Sequence, residues 1–233
     1  MILVTGASEG IGFACARELL MRTPFGVVAT GRSQPKLERA RRSLDGARSR
    51  YSALVCDQSS DAALQALIEL VARAPDIAGA ILTVGVNPAY AEGPRRIHAL
   101  SAATIATTIH TNCVQTLRLS AALLDRFRRQ RAGVLIWIGS QAQDIGLPGA
   151  GLYCATKSFL SGLARTAQHE YAGRGIRVHL AHPGIVRTPR TAVVADEFAR
   201  RHGLGVAEAP DIARQIVDLF LGGDPAAVEV NLC

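Results

Sequence analysis

Met1-Ile2-Leu3-Val4-Thr5-Gly6-Ala7-Ser8-Glu9-Gly10-Ile11-Gly12 is the stretch whose reading settles the architecture. Its aliphatic opening reads as a strand buried on both faces. From Ile11 onward the apolar spacing predicts a helix over residues 11–22. The glycines in between permit a tight turn and let the backbone approach a pyrophosphate closely. The helix that follows offers free N–H groups and the positive end of its dipole. The spacing is G-x-x-x-G-x-G rather than the commoner G-x-G-x-x-G, so the turn alone is compatible with a plain strand-to-helix connection. Its place directly after the first strand favours a phosphate cradle.

Working outward, strand-like and helical runs alternate along the whole chain. Strands are expected at about 1–5, 26–30, 51–56, 78–84, 133–139, 176–181 and 227–231. Helices are expected at about 11–22, 35–45, 60–73, 101–129, 151–172, 191–202 and 209–221. Such alternation implies an α/β fold: a doubly wound, Rossmann-type parallel sheet of about seven strands with helices on both faces. No linker, repeat or low-complexity segment interrupts it, so residues 1–233 are expected to form one domain.

The composition excludes several classes. The formal net charge is +7, and 24 of the 26 basic residues are arginine. The clusters Arg39, Arg41, Arg42 and Arg126, Arg128, Arg129, Arg131 fall near the ends of predicted helices, where they suit solvent and the helix dipole. No nucleic-acid recognition module accompanies them, so no nucleic-acid partner is expected. No apolar run is long enough to span a bilayer, so no membrane partner is expected either. Five cysteines (Cys15, Cys56, Cys113, Cys154, Cys233) lack metal or C-x-x-C spacing. With a strand already at Met1 in place of a leader peptide, they suggest a cytoplasmic protein with free thiols. The six histidines form no H-E-x-x-H, and no metal is expected.

A second stretch carries chemistry: Ile136-Trp137-Ile138-Gly139-Ser140, then Tyr153-Cys154-Ala155-Thr156-Lys157. Tyr153 and Lys157 lie four apart, so on a helix they share a face. A phenol of pKa about 10 is a poor proton shuttle at neutral pH, and an adjacent ammonium is expected to lower it. Ser140 ends the apolar run Val134–Ile138, which reads as a buried strand, and so joins the other two polar side chains at one crevice.

Taken together, Thr5 to Gly12, Asn112, Ser140, Tyr153 and Lys157 resemble the short-chain dehydrogenase/reductases, single-domain branch, over nearly the whole chain. The resemblance implies an oxidoreductase in which Asn112, Ser140, Tyr153 and Lys157 are catalytic. Ser140 and Tyr153 would bind a carbonyl oxygen, Tyr153 would donate the proton, and Lys157 would also hold the nicotinamide ribose. Asn112, inside a long helix, would hold a water beside Lys157. The implied cofactor contacts are Thr5, Gly6, Ser8, Gly10, Ile11 and Gly12 in the turn, and Asp57 with Gln58 after strand three. Gly85 follows strand four; Tyr153 and Lys157 serve again; and Pro183, Gly184, Ile185, Val186 and Thr188 follow strand six. Asp57 would meet the adenine amino group, though it could instead cap the next helix, a task open also to Ser59 or Ser60.

Cofactor choice is read at the end of strand two. An acidic residue there grips the ribose hydroxyl of NAD, whereas arginine suits the 2′-phosphate of NADP. The chain has Gly31-Arg32-Ser33, which predicts NADPH/NADP+, with Arg32 and Ser33 on the phosphate. Glu9 is a contrary sign, because NADP-using relatives often carry a basic residue near it. Strand four departs from the family pattern Asn-Asn-Ala-Gly, reading Leu82-Thr83-Val84-Gly85. That departure puts in question the hydrogen bonding under the adenosine ribose and the support of the fourth helix.

Residues 189–205 are expected to cover the substrate, with Phe198 and Arg187, Arg190, Arg200 and Arg201 near it; these arginines meet an anionic substrate or simply solvent. Gln141, Gln143, Leu147 and Leu152 are expected to line the opposite side. His182 reads as a turn residue before Pro183. The expected activity is NADPH-dependent reduction of a ketone or aldehyde, reversible as alcohol oxidation. The alternatives are a catalytically silent dinucleotide-binding regulator and an NAD-dependent alcohol dehydrogenase. A small-molecule carbonyl substrate and a homodimer or homotetramer, joined through helices 101–129 and 151–172, complete the expectation.

Overall fold

A computed structural model describes residues 1–193, 195–202 and 205–233, the side chains of 198, 201 and 202 excepted. Along the chain, β1 (Ile2–Thr5), α1 (Gly10–Arg22), β2 (Val27–Gly31), α2 (Gln34–Arg42), β3 (Tyr51–Val55), α3 (Asp61–Arg73) and β4 (Gly79–Leu82) come first. Two short or broken pieces follow, α4 (Ala89–Glu92) and α5 (Ala102–Ile109), then a π-helical segment His110–Gln115 that runs into α6 (Thr116–Gln130). Next come β5 (Gly133–Ile138), α7 (Ala142–Ile145), α8 (Gly151–Tyr171), β6 (Ile176–Pro183) and β7 (Ile185–Arg187). The chain finishes with α9 (Ala195–His202), β8 (Val206–Glu208), α10 (Ala209–Gly222) and β9 (Glu229–Leu232).

Seven strands make one parallel sheet in the order β3-β2-β1-β4-β5-β6-β9. The sheet is covered on both faces, and the sequence shows why. In β1, Ile2 and Val4 enter one core layer with Leu19 of α1 and Ile212, Ile216 and Phe220 of α10. Leu3 points the other way, into a layer with Leu64 and Leu67 of α3, Phe127 of α6 and Leu160 of α8. β5 alternates in the same manner, with Ile136 on the first face and Trp137 on the second. A strand buried on both faces needs apolar residues at every position, hence the unbroken aliphatic runs. Each such side chain contributes roughly 1.5–3 kcal/mol when fully buried.

The strand order reverses between β1 and β4, which pair in register from Ile2↔Gly79 to Thr5↔Leu82. Outside the carboxyl ends of strands at such a switch point the two loops leave in opposite directions and open a crevice. Besides the one-turn helices α4 and α7, two features were not expected. β7 and β8 form a separate two-stranded parallel sheet, too short to show a periodicity. The expected helix 101–129 also contains the π-helical turn, at the place occupied by Asn112; such one-turn bulges cluster at functional sites.

Candidate active site

The glycine turn takes the form its sequence demands. Gly6 and Gly10 have φ of +64° and +60°, a region that side chains disfavour. At Gly12 even a Cβ would lie 2.4 Å from the Gly6 carbonyl oxygen, so helix and turn meet backbone to backbone. The α1 N-terminus has no side-chain cap and no acidic residue in its first turn. By contrast Ser33, Ser60 and Ser101 cap α2, α3 and α5. An uncapped N-terminus facing the crevice leaves its amides and dipole to an anion, which fits a pyrophosphate. Thr188 reaches the same turn from across the crevice: a Cβ on Gly10 would meet it at 3.4 Å.

At the outer end, Gly31 is buried, and a Cβ there would press on the Ser8 side chain at 3.2 Å and on Leu37 at 3.4 Å. An acidic residue at this position would have to displace Ser8. Arg32 is exposed at the adjoining rim. The Ser33 hydroxyl accepts from the Lys36 amide at 3.4 Å as the α2 cap, which leaves its proton free to donate. Lys36, which the sequence reading missed, bonds Glu9 across the turn at 2.8 Å. Asp57 does not cap α3; Ser60 does, and Asp57 accepts from the Ser59 amide and hydroxyl at 3.0 and 2.7 Å. Burial works to raise the Asp57 carboxyl, but the two Ser59 bonds and nearby Arg32 outweigh it and hold the group below its usual range. Gln58 is buried, and its Oε1 has no partner. A stranded acceptor beside Asp57 suits a ligand that brings a donor, as an adenine amino group would.

The altered β4 keeps its connections by other means. Thr83 donates its hydroxyl to the Thr5 carbonyl at 2.6 Å, and its amide donates to the Thr5 hydroxyl at 3.1 Å. Asn112 is 4% exposed. Its Oδ1 accepts from the Val86 amide and its Nδ2 donates to the Val86 carbonyl, both at 2.8 Å. The amide thus acts as one rung of a ladder, while Nδ2 also donates to the Thr156 hydroxyl on α8 at 3.0 Å. The sequence left the support of this helix in doubt; the partners are Val86 and Thr156.

Ser140, Tyr153 and Lys157 converge at the end of β5. Lys157 is buried; its Nζ donates to the Ile138 carbonyl at 2.7 Å and lies 5.5 Å from the Tyr153 ring centre. A Cβ on Gly85 would stand 3.2 Å from Nζ, so a side chain there would crowd the ammonium. Burial pulls Lys157 down to about 8. The phenol is not lowered as its spacing from lysine suggested. Tyr153 keeps part of its surface open to the crevice, but crowding around its ring pushes it up to about 12, which hydrogen bonding with Ser140 only partly opposes. Removal from water is the largest influence on both groups.

Around these groups the structure sorts the remaining candidates. Leu152 joins Tyr153, Asn87, Pro88 and Leu100 around a small hollow. Gln141 and Gln143 turn away from it: Gln141 donates to the Leu232 carbonyl at 3.1 Å and Gln143 to Ser161 at 3.0 Å. His182 is no turn residue; it lies inside β6, 2% exposed, bonded to Glu229 at 2.9 Å. Arg187 is taken up by Asp196, at 2.8 and 2.6 Å, and by Glu208 at 2.9 Å. Arg190 instead reaches over the crevice and donates to the Gly85 carbonyl at 3.2 Å. The side chains of Phe198 and Arg201 lie outside the described residues. Among the described residues no His, Cys, Asp and Glu cluster suits a metal, and no helix is long and apolar enough to cross a membrane.

The short chain dehydrogenase family profile matches residues 1–198. The chain belongs to this family. Curated members include the 3-oxoacyl-acyl-carrier-protein reductase of Escherichia coli, 30% identical over 233 residues, covering 97% of this chain and 90% of that protein. The enzyme of the same description from Haemophilus influenzae is 29% identical and covers 96% of this chain and 90% of its own. Among solved structures, a short-chain dehydrogenase from Sphingobium yanoikuyae in complex with NADPH superposes with a TM-score of 0.81 at 25% identity, covering 99% of this chain and 86% of that one. Family membership makes the seven-stranded sheet and the glycine turn parts of an oxidoreductase scaffold.

Proposed function

We propose that this family member is an NADPH-dependent reductase of a ketone or aldehyde carbonyl, reversible as alcohol oxidation. The observation that carries the reading is the convergence of the Ser140 and Tyr153 hydroxyls and the Lys157 ammonium beside an uncapped helix N-terminus. Gly6, Ser8, Gly10, Ile11 and Gly12 would hold the pyrophosphate, with Thr5 beneath the turn. Arg32 and Ser33 would hold the 2′-phosphate, and Asp57 and Gln58 the adenine. Gly85, Tyr153 and Lys157 would flank the nicotinamide ribose, facing Pro183, Gly184, Ile185, Val186 and Thr188. Bound NADPH supplies hydride to the carbonyl carbon.

The protein's share is proton delivery and orientation. A phenol held near 12 keeps its proton at neutral pH, so Tyr153 suits donation to a carbonyl oxygen that is gaining charge. Ser140 shares that oxygen by hydrogen bonding, and the Lys157 ammonium steadies the tyrosinate left behind. Asn112 fixes Val86 and Thr156, and with them the walls on either side of Lys157. The 3-oxoacyl reductase relatives support a ketone substrate. Arg190, the arginine turned over the crevice, favours one carrying a negative charge. The same reading includes a homodimer or homotetramer, since Ile105, Ile109, Val114 and Leu117 on the long helix and Phe159 on α8 stand 36–44% exposed.

The test is to titrate the protein with NADPH and NADH by quenching of Trp137, then follow NADPH consumption over a panel of charged and neutral carbonyl compounds. Tight NADPH binding with turnover upholds the reading. Binding without turnover of any carbonyl leaves a silent dinucleotide-binding protein, and equal use of NADH shifts the assignment to an NAD enzyme. Arg190→Ala should lower kcat/KM severalfold for keto acids and leave neutral ketones nearly unchanged.

A further inference from the structure

We infer that Glu229 and His182 form a positioning pair that sets the place of Ser140 beneath the substrate carbonyl; the inference rests on the reductase reading above. On α8, Tyr153, Lys157, Ser161 and Arg165 follow one another at intervals of four and share a face. The first two serve the crevice. The next two hold the Glu229 carboxylate of β9: Ser161 donates to its Oε2 at 2.9 Å, and Arg165 Nε approaches its Oε1 at 3.0 Å. His182 of β6 meets the same Oε2 at 2.9 Å. A carboxylate only accepts, so the histidine proton sits on Nε2 and the ring orientation is fixed.

That orientation matters because of what the ring supports. The buried Nδ1 has no partner, and it lies under Gly139, where a Cβ would come within 2.5 Å of it. The backbone leading into Ser140 therefore rests directly on the imidazole, and position 139 has no room for a side chain. Three residues beyond Ser140, Gln143 donates to the Ser161 hydroxyl at 3.0 Å. One carboxylate thus steadies the Ser140 turn from both ends, through His182 at Gly139 and through Ser161 at Gln143. The contact of His182 with Glu229 joins residues 47 apart in sequence, from the sixth strand to the last. Neither residue belongs to the group that meets carbonyl or cofactor, so their action is on the geometry of Ser140. A hydroxyl displaced by a fraction of an ångström loses rate and leaves ground-state affinity largely intact.

The experiment uses the full chain with NADPH and the best substrate of the carbonyl panel. Glu229→Gln and His182→Ala should each lower kcat about tenfold, with KM and NADPH affinity by Trp137 quenching within about twofold of wild type. In a Ser140→Ala background the same changes should have no further effect on kcat, because the residue they act through is gone. His182→Gln, which restores an N–H toward Glu229, should recover most of the rate. Unchanged kcat in folded single variants overturns the inference, as does a full additional loss on top of Ser140→Ala. Should His182→Ala fail to fold, Glu229→Gln and His182→Gln decide by the same cycle. If wild-type protein turns over no carbonyl, the reductase reading has failed on its own. The pair is then read by amide hydrogen exchange over residues 139–143: faster exchange in Glu229→Gln sustains it, and unchanged exchange overturns it.

Discussion

The chain contains two lysines, Lys36 and Lys157, and they stand at opposite ends of the crevice. Lys157 is 5% exposed, and its charge is met by the Ile138 carbonyl at 2.7 Å. Lys36 has a side chain 44% exposed and meets the Glu9 carboxylate at 2.8 Å, in water's reach. At the buried end, position and desolvation dominate, and on the proposed function a single group there would change the rate by orders of magnitude. At the exposed end, charges of both signs sit in a high dielectric, where each pair contributes about 0–1 kcal/mol. On the proposed function, the first end would govern whether reaction occurs, and the second which cofactor is preferred.

The largest effect should come from Tyr153→Phe. It removes the transferable proton and leaves the ring, so turnover should fall by about a thousandfold while NADPH affinity by Trp137 quenching stays within about twofold. A loss below tenfold would break the contrast between the two ends. Lys157→Met should cost at least about a hundredfold in rate and yet stabilise the fold. Burial draws Lys157 from its ordinary 10.5 to about 8, so between those values the unfolded chain binds more protons and stability rises with pH. Below pH 8 the folded state carries a charge its surroundings disfavour. Relieving it, less the bond lost at Ile138, should gain on the order of 2 kcal/mol at pH 7. That corresponds to a Tm about 4–8 °C higher, by calorimetry. A lower Tm would mean that the ammonium is better solvated than its burial implies.

At the exposed end the changes should be smaller. Arg32→Ala should weaken NADPH about tenfold and NADH less than twofold, measured by the same titration, with the difference shrinking as salt is raised. Equal weakening of both would remove Arg32 from the 2′-phosphate. The smallest effect should be that of Glu9→Gln. It frees Lys36 from its carboxylate and should tighten NADPH by about twofold, an expectation that unaltered or weaker binding would reverse.

Much of this arrangement is written locally. The alternation of strand-like and helical runs yields the seven strands in their places, most plainly for β1, β4 and β5, which are buried along their whole length and mainly aliphatic. Gly6, Gly10 and Gly12 announce their turn because other residues disfavour a positive φ and none leaves room for a helix resting on a carbonyl. Tyr153 and Lys157 share a face by the pitch of the helix alone. What escaped the sequence joins residues that are distant along it. Thr83 takes over at β4 by bonding Thr5, 78 residues away, and Asn112 finds its partners in Val86, 26 residues away. The direction of the Tyr153 shift also eluded the spacing, since burial depends on every neighbouring element.

The sequence by itself therefore determined the order of the sheet strands and the glycine cradle, which follow from periodicity and spacing within one or two elements, while the reacting groups are those that the family resemblance implies and the proposed function adopts. Only the tertiary structure decided that Gln141 and Gln143 turn to Leu232 and Ser161, that Lys36 answers Glu9, and that His182, held by Glu229, packs under Gly139. The physical reason is that these polar groups choose partners by proximity and desolvation, which exist only once the sheet has brought its far ends together.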